Sequence, residues 1–274
     1  RDVDYRGFRS FTYRLVMDSG PRILAAIPAA GKRGQKQTIE FIGIGVATGK
    51  AKIESIKKEV AFPADEKMAS FAYKLETPFG NGQSYSFPLS NFDEKVTGTE
   101  LITAPGAVTG RLTEAKKSDT YTFKGKKAEL WTISCDTGKI GSNLDITLSV
   151  LGPDGKEIAS KDDSSPSMDP ELPITLPADG DYKIIIRDLS GKTKTPASVY
   201  RLVIDKTKTN FKLRTLSAAS VPIGGTLALA IAITREAGFK EPVTLTFANL
   251  PEGVSVPANL IILPTVASLN VTLT

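Results

Sequence analysis

The sequence of 274 residues contains no histidine and a single cysteine, Cys135. Without histidine, the chain lacks the general base of Ser-His-Asp and Cys-His nucleophiles and the imidazole ligands of zinc sites. One cysteine excludes a disulfide within the chain and a thiolate metal cluster. These absences remove several catalytic chemistries, and we expect this chain not to be an enzyme.

Charge of one sign is not concentrated in any part of the chain. The 35 basic and 30 acidic side chains give a net charge of +5, and the lysines occur in short groups mixed with acidic residues. A nucleic-acid interface requires a clustered basic surface, so we predict no nucleic-acid partner. Two uncharged stretches, 215–234 and 253–274, contain proline and many hydroxyl side chains. This composition favours strands, and we predict no membrane span.

Alternating hydrophobic and small or polar residues dominate the sequence. Leu227, Leu229, Ile231 and Ile233 alternate with alanines, and residues 144–150 show the same period of two, which predicts strands with one buried face. Further strands are predicted at 38–44, 69–75, 120–124, 130–135, 182–187, 199–204 and 243–247. The segment 51–60 leaves two alternatives open, a helix or short strands. The sequence therefore predicts an all-β fold of tandem β-sandwich domains, of jelly-roll or immunoglobulin-like type.

An internal repeat indicates how the chain is divided. Tyr13-Arg14-Leu15-Val16-Met17-Asp18 and Tyr200-Arg201-Leu202-Val203-Ile204-Asp205 each follow an Arg-Asp pair. We expect residues 1–19 to be the closing strands of an upstream domain whose start is missing, and their apolar face to need that missing partner. Boundaries near residues 20, 104 and 206 then leave segments 20–103, 104–205 and 206–274. The last segment is shorter than the roughly 100 residues of a complete sandwich, so we expect it to be truncated.

Residues 104–205 resemble the bacterial pre-peptidase C-terminal (PPC) domain, a β-sandwich of secreted and surface proteins. The resemblance rests on motifs in the family's order: Gly110-Arg111-Leu112, Ser118-Asp119-Thr120-Tyr121-Thr122-Phe123, Ser142-Asn143-Leu144-Asp145, Gly152-Pro153-Asp154-Gly155, Asp162-Asp163, Ala178-Asp179-Gly180-Asp181-Tyr182 and Tyr200-Arg201-Leu202. Segment 20–103 is similar to immunoglobulin-like or TIG-type units, segment 206–274 is similar to an immunoglobulin-like unit, and residues 1–19 resemble the C-terminal strands of a truncated upstream PPC-like domain. The resemblance implies an extracytoplasmic protein, either secreted, periplasmic or on the cell surface. Within the PPC-like segment, we expect Tyr121, Phe123, Trp131, Ile133 and Cys135 to face the core.

Carboxylates between predicted strands are the candidate metal ligands. Asp162, Asp163 and Asp169 belong to one predicted loop, and Asp145 follows a neighbouring turn. Calcium binds six to eight oxygens from flexible loops and relieves the repulsion between adjacent carboxylates. We therefore predict calcium binding at Asp145, Asp162, Asp163 and Asp169. A solvated acidic loop with local turn hydrogen bonds is the alternative.

Three functions are consistent with these patterns. The first is a non-catalytic row of spacer, adhesion or binding modules in a secreted or cell-surface bacterial protein, with a cell-surface polysaccharide or protein as partner and further domains in the same longer chain. The second is an accessory tail of a secreted, peptidase-type hydrolase whose catalytic domain lies outside this chain. The third is a subunit of a surface layer or filament. The sequence favours the first.

Overall fold

A computed structural model of the protein describes residues 20–96, 101–164, 167–189, 195–236 and 238–274. In these ranges the chain forms 22 strands and one 3-10 turn, Gly138–Ile140, which confirms the predicted all-β fold of tandem sandwiches. The same ranges contain no helix of the length and hydropathy that a membrane crossing requires. The chain divides after Asp205 into two compact units. The strands predicted within 1–19, with Phe11, Tyr13, Leu15 and Met17 on one face, lie outside the described residues.

The first sandwich has two three-stranded sheets, ordered β1-β3-β4 and β2-β8-β5, and a small β6-β7 pair. Its strands are β1 (Arg22–Ile27), β2 (Gly31–Lys32), β3 (Lys36–Ile44), β4 (Ile53–Ala61), β5 (Ser70–Tyr73), β6 (Glu76–Thr77), β7 (Gly80–Asn81) and β8 (Tyr85–Ser90). Aromatic rings fill the core between the sheets: Phe41 stacks on Tyr73 with centroids 5.3 Å apart, and Phe87 meets Phe41 edge-on at 5.9 Å. These ring contacts hold the two sheets together.

The helical alternative for residues 51–60 is wrong. Strand β4 pairs antiparallel with β3 along nine residues, from Lys36 opposite Ala61 to Ile44 opposite Ile53. Ile53, Ile56 and Val60 match helical spacing by coincidence, because apolar and polar side chains alternate only in part along this strand. A long partner strand supplies ladder hydrogen bonds that the local spacing does not reveal.

The second sandwich packs a five-stranded sheet, β15-β12-β17-β10-β9, against a four-stranded sheet, β11-β16-β13-β14. Its strands are β9 (Glu94–Val96), β10 (Gly106–Arg111), β11 (Ser118–Gly125), β12 (Leu130–Asp136), β13 (Ile146–Leu151), β14 (Glu157–Lys161), β15 (Glu171–Thr175), β16 (Gly180–Asp188) and β17 (Val199–Lys206). The predicted core residues Tyr121, Phe123, Trp131, Ile133 and Cys135 are all buried between these sheets, as expected.

The junction between the two sandwiches lies within one compact unit. Strand β9, which precedes the predicted boundary at residue 104, runs parallel to β10 at the edge of the five-stranded sheet. Ile102 also belongs to the second core. The segment that leaves the first sandwich therefore becomes part of the second. The predicted domain boundaries themselves stay predictions.

The first sandwich covers the outer face of the five-stranded sheet. An apolar layer from both sides forms the contact: Ala25, Ile27, Ala29, Ile42, Ile140, Ala197 and Val199. Two hydrogen bonds cross it, from the Ala29 N–H to the Thr109 hydroxyl at 2.9 Å and from the Tyr85 hydroxyl to the Ile140 carbonyl at 3.0 Å. Strands β10 and β17 are consequently buried on both faces.

Residues after Asp205 form a smaller unit. It contains a three-stranded sheet, β18-β19-β22, and a β20-β21 pair. The strands are β18 (Asn210–Arg214), β19 (Leu227–Glu236), β20 (Val243–Thr244), β21 (Ile261–Ile262) and β22 (Ser268–Leu273). The predicted alternation in β19 is confirmed, because Leu229, Ile231 and Ile233 are buried while the intervening alanines are exposed. The strand predicted at 243–247 is shorter and ends at Thr244.

Gly110 is required by a close approach inside the second sandwich. It lies directly opposite Tyr200 in the β10–β17 pair. A Cβ atom at residue 110 would lie 2.1 Å from Cζ of Tyr200. The Tyr200 ring has little freedom to move, because its buried hydroxyl donates to Asp119 Oδ2 at 2.5 Å and contacts the Tyr121 hydroxyl at 2.7 Å. The glycine therefore makes room for a tyrosine fixed at both ends.

We expect Gly110→Ala to destabilise the protein by about 1–3 kcal/mol or more, because the added methyl group overpacks a filled core. Gly138→Ala is the matched control, since its Cβ would come no closer than 3.6 Å to Asp169 Oδ1. The control should change stability by less than about 1 kcal/mol. Denaturant unfolding followed by the fluorescence of Trp131, the one tryptophan, measures both. Equal effects of the two substitutions would refute the close approach.

Candidate functional site

A buried cluster of charges lies where the first sandwich covers the second. Arg201 projects from the outer face of β17, and its Nε and Nη2 donate to the two carboxylate oxygens of Glu94 at 3.0 and 2.7 Å. Its Nη1 donates to Asp136 Oδ2 at 3.0 Å. The Arg201 side chain is 8% exposed and the Glu94 side chain 0%. This paired geometry connects β17 to β9 and β12.

The charge balance of the cluster keeps Arg201 ionised. Burial works against the guanidinium charge, but hydrogen bonds and Coulomb attraction from Glu94 and Asp136 outweigh it and raise the pKa of Arg201. Lys139 donates to the other Asp136 oxygen at 2.8 Å, so two cations face two anions. Because Arg201, Glu94 and Asp136 are buried and paired with one another, their chemistry is that of a structural connection.

Asp169 organises the 3-10 turn beside this cluster. Its Oδ1 accepts from the Thr137 N–H at 2.8 Å, the Thr137 hydroxyl at 2.7 Å and the Gly138 N–H at 2.8 Å, and its Oδ2 accepts from the Lys139 N–H at 3.2 Å. Burial opposes ionisation, yet these four hydrogen bonds lower the pKa of Asp169 below its ordinary value. The first N–H groups of a helical turn have no acceptor within the turn itself. The Asp169 carboxylate accepts their hydrogen bonds instead.

The structure does not assemble the four predicted calcium ligands. The described residues contain no group of three or more acidic, cysteine or histidine side chains arranged to hold a metal ion. Asp162 and Asp163 are exposed, and Asp162 Oδ1 accepts from the Asp163 N–H at 2.9 Å. The Asp145 N–H donates to Asp188 at 3.3 Å, and Asp169 is occupied by the turn. Calcium binding at these residues stays a prediction.

An open groove at the junction of the two sandwiches is the candidate binding site. Its volume of about 380 Å³ falls in the range of small-molecule sites, about 300–1,000 Å³. Both sandwiches contribute to its lining, which includes Lys32, Asn91, Phe92, Asp93, Lys95 and Pro105.

Hydrogen bonds fix the loop that carries the polar side of the groove. Lys32 Nζ donates to Asp93 Oδ1 at 2.5 Å, and Arg33 Nε donates to Asn91 Oδ1 at 3.1 Å. The Phe92 N–H donates to the Ser90 hydroxyl at 3.0 Å. The hydrogen bond and charge of Lys32, with a contribution from Lys95, lower the pKa of Asp93. The groove thus presents an ionised carboxylate between two ammonium groups on a preformed loop.

Neither the Arg201 cluster nor the groove is among the features that the sequence predicts. One signal was available for the cluster: residues 199–204 form an almost continuous apolar run, which is typical of a strand buried on both faces. An arginine inside such a run requires a buried acidic partner. Its partner Glu94 is distant in sequence, and the groove depends on the packing of two sandwiches, so neither leaves a local motif.

We expect Asp169→Asn to reduce stability by about 1–3 kcal/mol at pH 7, because a charged acceptor of four hydrogen bonds becomes neutral. The folded-state pKa of Asp169 is lowered, so its stabilising effect is present above the unfolded-state pKa, near 3.9, and is lost as the pH falls through the folded-state pKa. The difference between the proteins should therefore shrink below about pH 4. Urea unfolding at several pH values tests this, with the exposed Asp162→Asn as control. A difference that does not depend on pH would contradict the assignment.

Comparison with known protein families finds a match within the second sandwich. The family model of the bacterial pre-peptidase C-terminal domain matches residues 117–188. The chain is similar in structure to the pre-peptidase C-terminal domain of a collagenase from Bacillus anthracis, at 16% identity and a TM-score of 0.30, over 42% of this chain and 100% of that one.

A second similar structure is a periplasmic inhibitor of g-type lysozyme from Aeromonas hydrophila. It shows 16% identity and a TM-score of 0.25, over 41% of this chain and 99% of that one. No curated protein matches the chain. The chain therefore contains a bacterial pre-peptidase C-terminal domain at residues 117–188, within the second sandwich, together with additional β-sandwich regions.

Proposed function

We propose that this chain is a non-catalytic, multidomain β-sandwich segment of a secreted or cell-surface bacterial protein, in which the sandwiches act as spacer, adhesion or binding modules. The observation that carries the proposal is the buried contact between the two sandwiches, an apolar layer crossed by two hydrogen bonds, over the sheet in which Arg201 is buried with Glu94 and Asp136. Such a buried apolar contact makes two modules behave as one stiff body, which suits a segment that holds other domains or ligands at a fixed place. The PPC match supports an accessory role.

A second candidate is an accessory tail of a secreted, peptidase-type hydrolase whose catalytic domain lies outside this chain. The family description, a pre-peptidase C-terminal domain, favours it. The complete reading frame distinguishes the candidates, since only the second requires a catalytic domain in the same polypeptide. No observation on the described residues favours the surface-layer or filament alternative.

We expect the protein to be found outside the cytoplasm and the purified chain to have no hydrolytic activity. An antibody raised against the chain, applied to fractions of the bacterium that encodes it, tests the location, and brief protease treatment of intact cells tests surface exposure. Casein and gelatin are suitable substrates for the purified chain. Restriction of the protein to the cytoplasm, or steady turnover of either substrate, would overturn the proposal.

We expect Arg201→Met to lower the free energy of unfolding by about 3–5 kcal/mol, because Glu94 and Asp136 would remain buried without their shared cation. Arg201→Lys keeps the positive charge but removes the two guanidinium N–H groups that donate to the two oxygens of Glu94. Its decrease in the free energy of unfolding should therefore be intermediate. Lys183→Met, at an exposed position of β16, is the control and should change stability by less than about 0.5 kcal/mol. Guanidinium unfolding with Trp131 fluorescence provides the measurement. If Arg201→Met were as mild as the control, the cluster would not hold β9 and β12 to β17.

A further inference from the structure

The side chains that line the groove between the two sandwiches favour one chemical class of ligand. We propose that it binds an acidic saccharide, a sugar that carries a carboxylate, such as a uronic acid residue of a polysaccharide. This inference rests on the proposed function as a binding module and specifies its ligand. Three features of the groove carry it: one cation without a counter-ion, a donor and an acceptor left free, and an adjacent apolar surface.

The charges of the groove leave one ammonium group for a ligand. Lys32 is engaged by Asp93 at 2.5 Å and is only 27% exposed. Lys95 is exposed and has no ion pair within the described residues. A ligand carboxylate would therefore pair with Lys95 while Lys32 and Asp93 neutralise each other.

The remaining polar atoms match hydroxyl groups. Within the described part of the chain, the Asn91 amide nitrogen and Asp93 Oδ2 have no hydrogen-bond partner, while Asn91 Oδ1 and Asp93 Oδ1 are held by Arg33 and Lys32. A free donor beside a free acceptor is the pattern that adjacent sugar hydroxyls satisfy, since each hydroxyl both donates and accepts. Because Arg33 and Lys32 already hold this loop in place, the loop loses little conformational entropy when a ligand binds.

The apolar part of the groove is suited to the C–H face of a sugar ring. Phe92 is half-buried in the loop between Asn91 and Asp93, and Pro105 lies in the lining that the second sandwich contributes. A flat aromatic or proline ring provides contact area at low entropic cost. A simple carboxylate such as acetate lacks both the hydroxyls and the ring face, so it should not bind measurably.

Isothermal titration calorimetry of the full chain with oligogalacturonate tests the proposal, with the fully methyl-esterified oligomer as the neutral counterpart of the same shape. We expect binding of the acid form, weakened by salt, and at least tenfold weaker binding of the ester. Lys95→Gln and Phe92→Ala should each weaken binding of the acid form about tenfold or more. Lys183→Gln removes one exposed lysine elsewhere on the second sandwich and should leave binding unchanged.

Three results would overturn the inference: no binding of oligogalacturonate, equal binding of the ester, or the same loss from Lys183→Gln as from Lys95→Gln. Circular dichroism and Trp131 fluorescence establish that each variant is folded, and Lys95 is an exposed position whose replacement leaves the core intact. A failure here leaves the proposed function in place if the protein is found outside the cytoplasm. A cytoplasmic location would instead remove the proposed function, whatever the calorimetry shows.

Discussion

A guanidinium group cannot be buried in a sheet that another domain covers unless its N–H groups meet suitable acceptors, because its desolvation costs several kcal/mol. Arg201 satisfies this constraint with Glu94 on one side and Asp136 on the other. Glu94 lies in the first strand that the chain contributes to the second sandwich, so the pairing determines where the connecting segment lies. The position of that segment in turn creates the groove. A single buried cation thus links the covered sheet, the course of the chain and the candidate site.

Much of the β architecture was accessible from the sequence because burial on one face of a strand produces a period of two. Strand β19 shows this clearly, since its leucine and isoleucine positions are buried and its alanines are not. The same rule failed for β4, where few side chains are buried and the ladder with β3 decides the structure. A period of two also does not indicate that β10 and β17 are covered on both faces, and for β17 only the nearly continuous apolar run at 199–204 indicates it. Coverage of a sheet by another domain is a property of packing between distant segments, and local periodicity does not encode it.

The candidate site was less accessible than the fold. An aspartate in a loop has two common uses, as a metal ligand and as an acceptor for backbone N–H groups, and both favour the same residue type. Asp169 has the second use, with four donors from three consecutive residues of a turn that lies more than 30 positions earlier in the sequence. No spacing rule distinguishes the two uses, because three of the four donors are backbone N–H groups, which any residue type supplies, and the fourth is the Thr137 hydroxyl. Only the folded arrangement identifies which one applies.

The solitary thiol of Cys135 has a consequence for how this protein can be observed. It lies in the core of the second sandwich, fully buried, and burial raises its pKa well above the ordinary value of a thiol. The folded protein is therefore inert to oxidants and alkylating reagents at this position. Since the chain has no other cysteine, every modification event reports an opening of that core. The rate of thiol labelling therefore measures how often the core of the second sandwich opens.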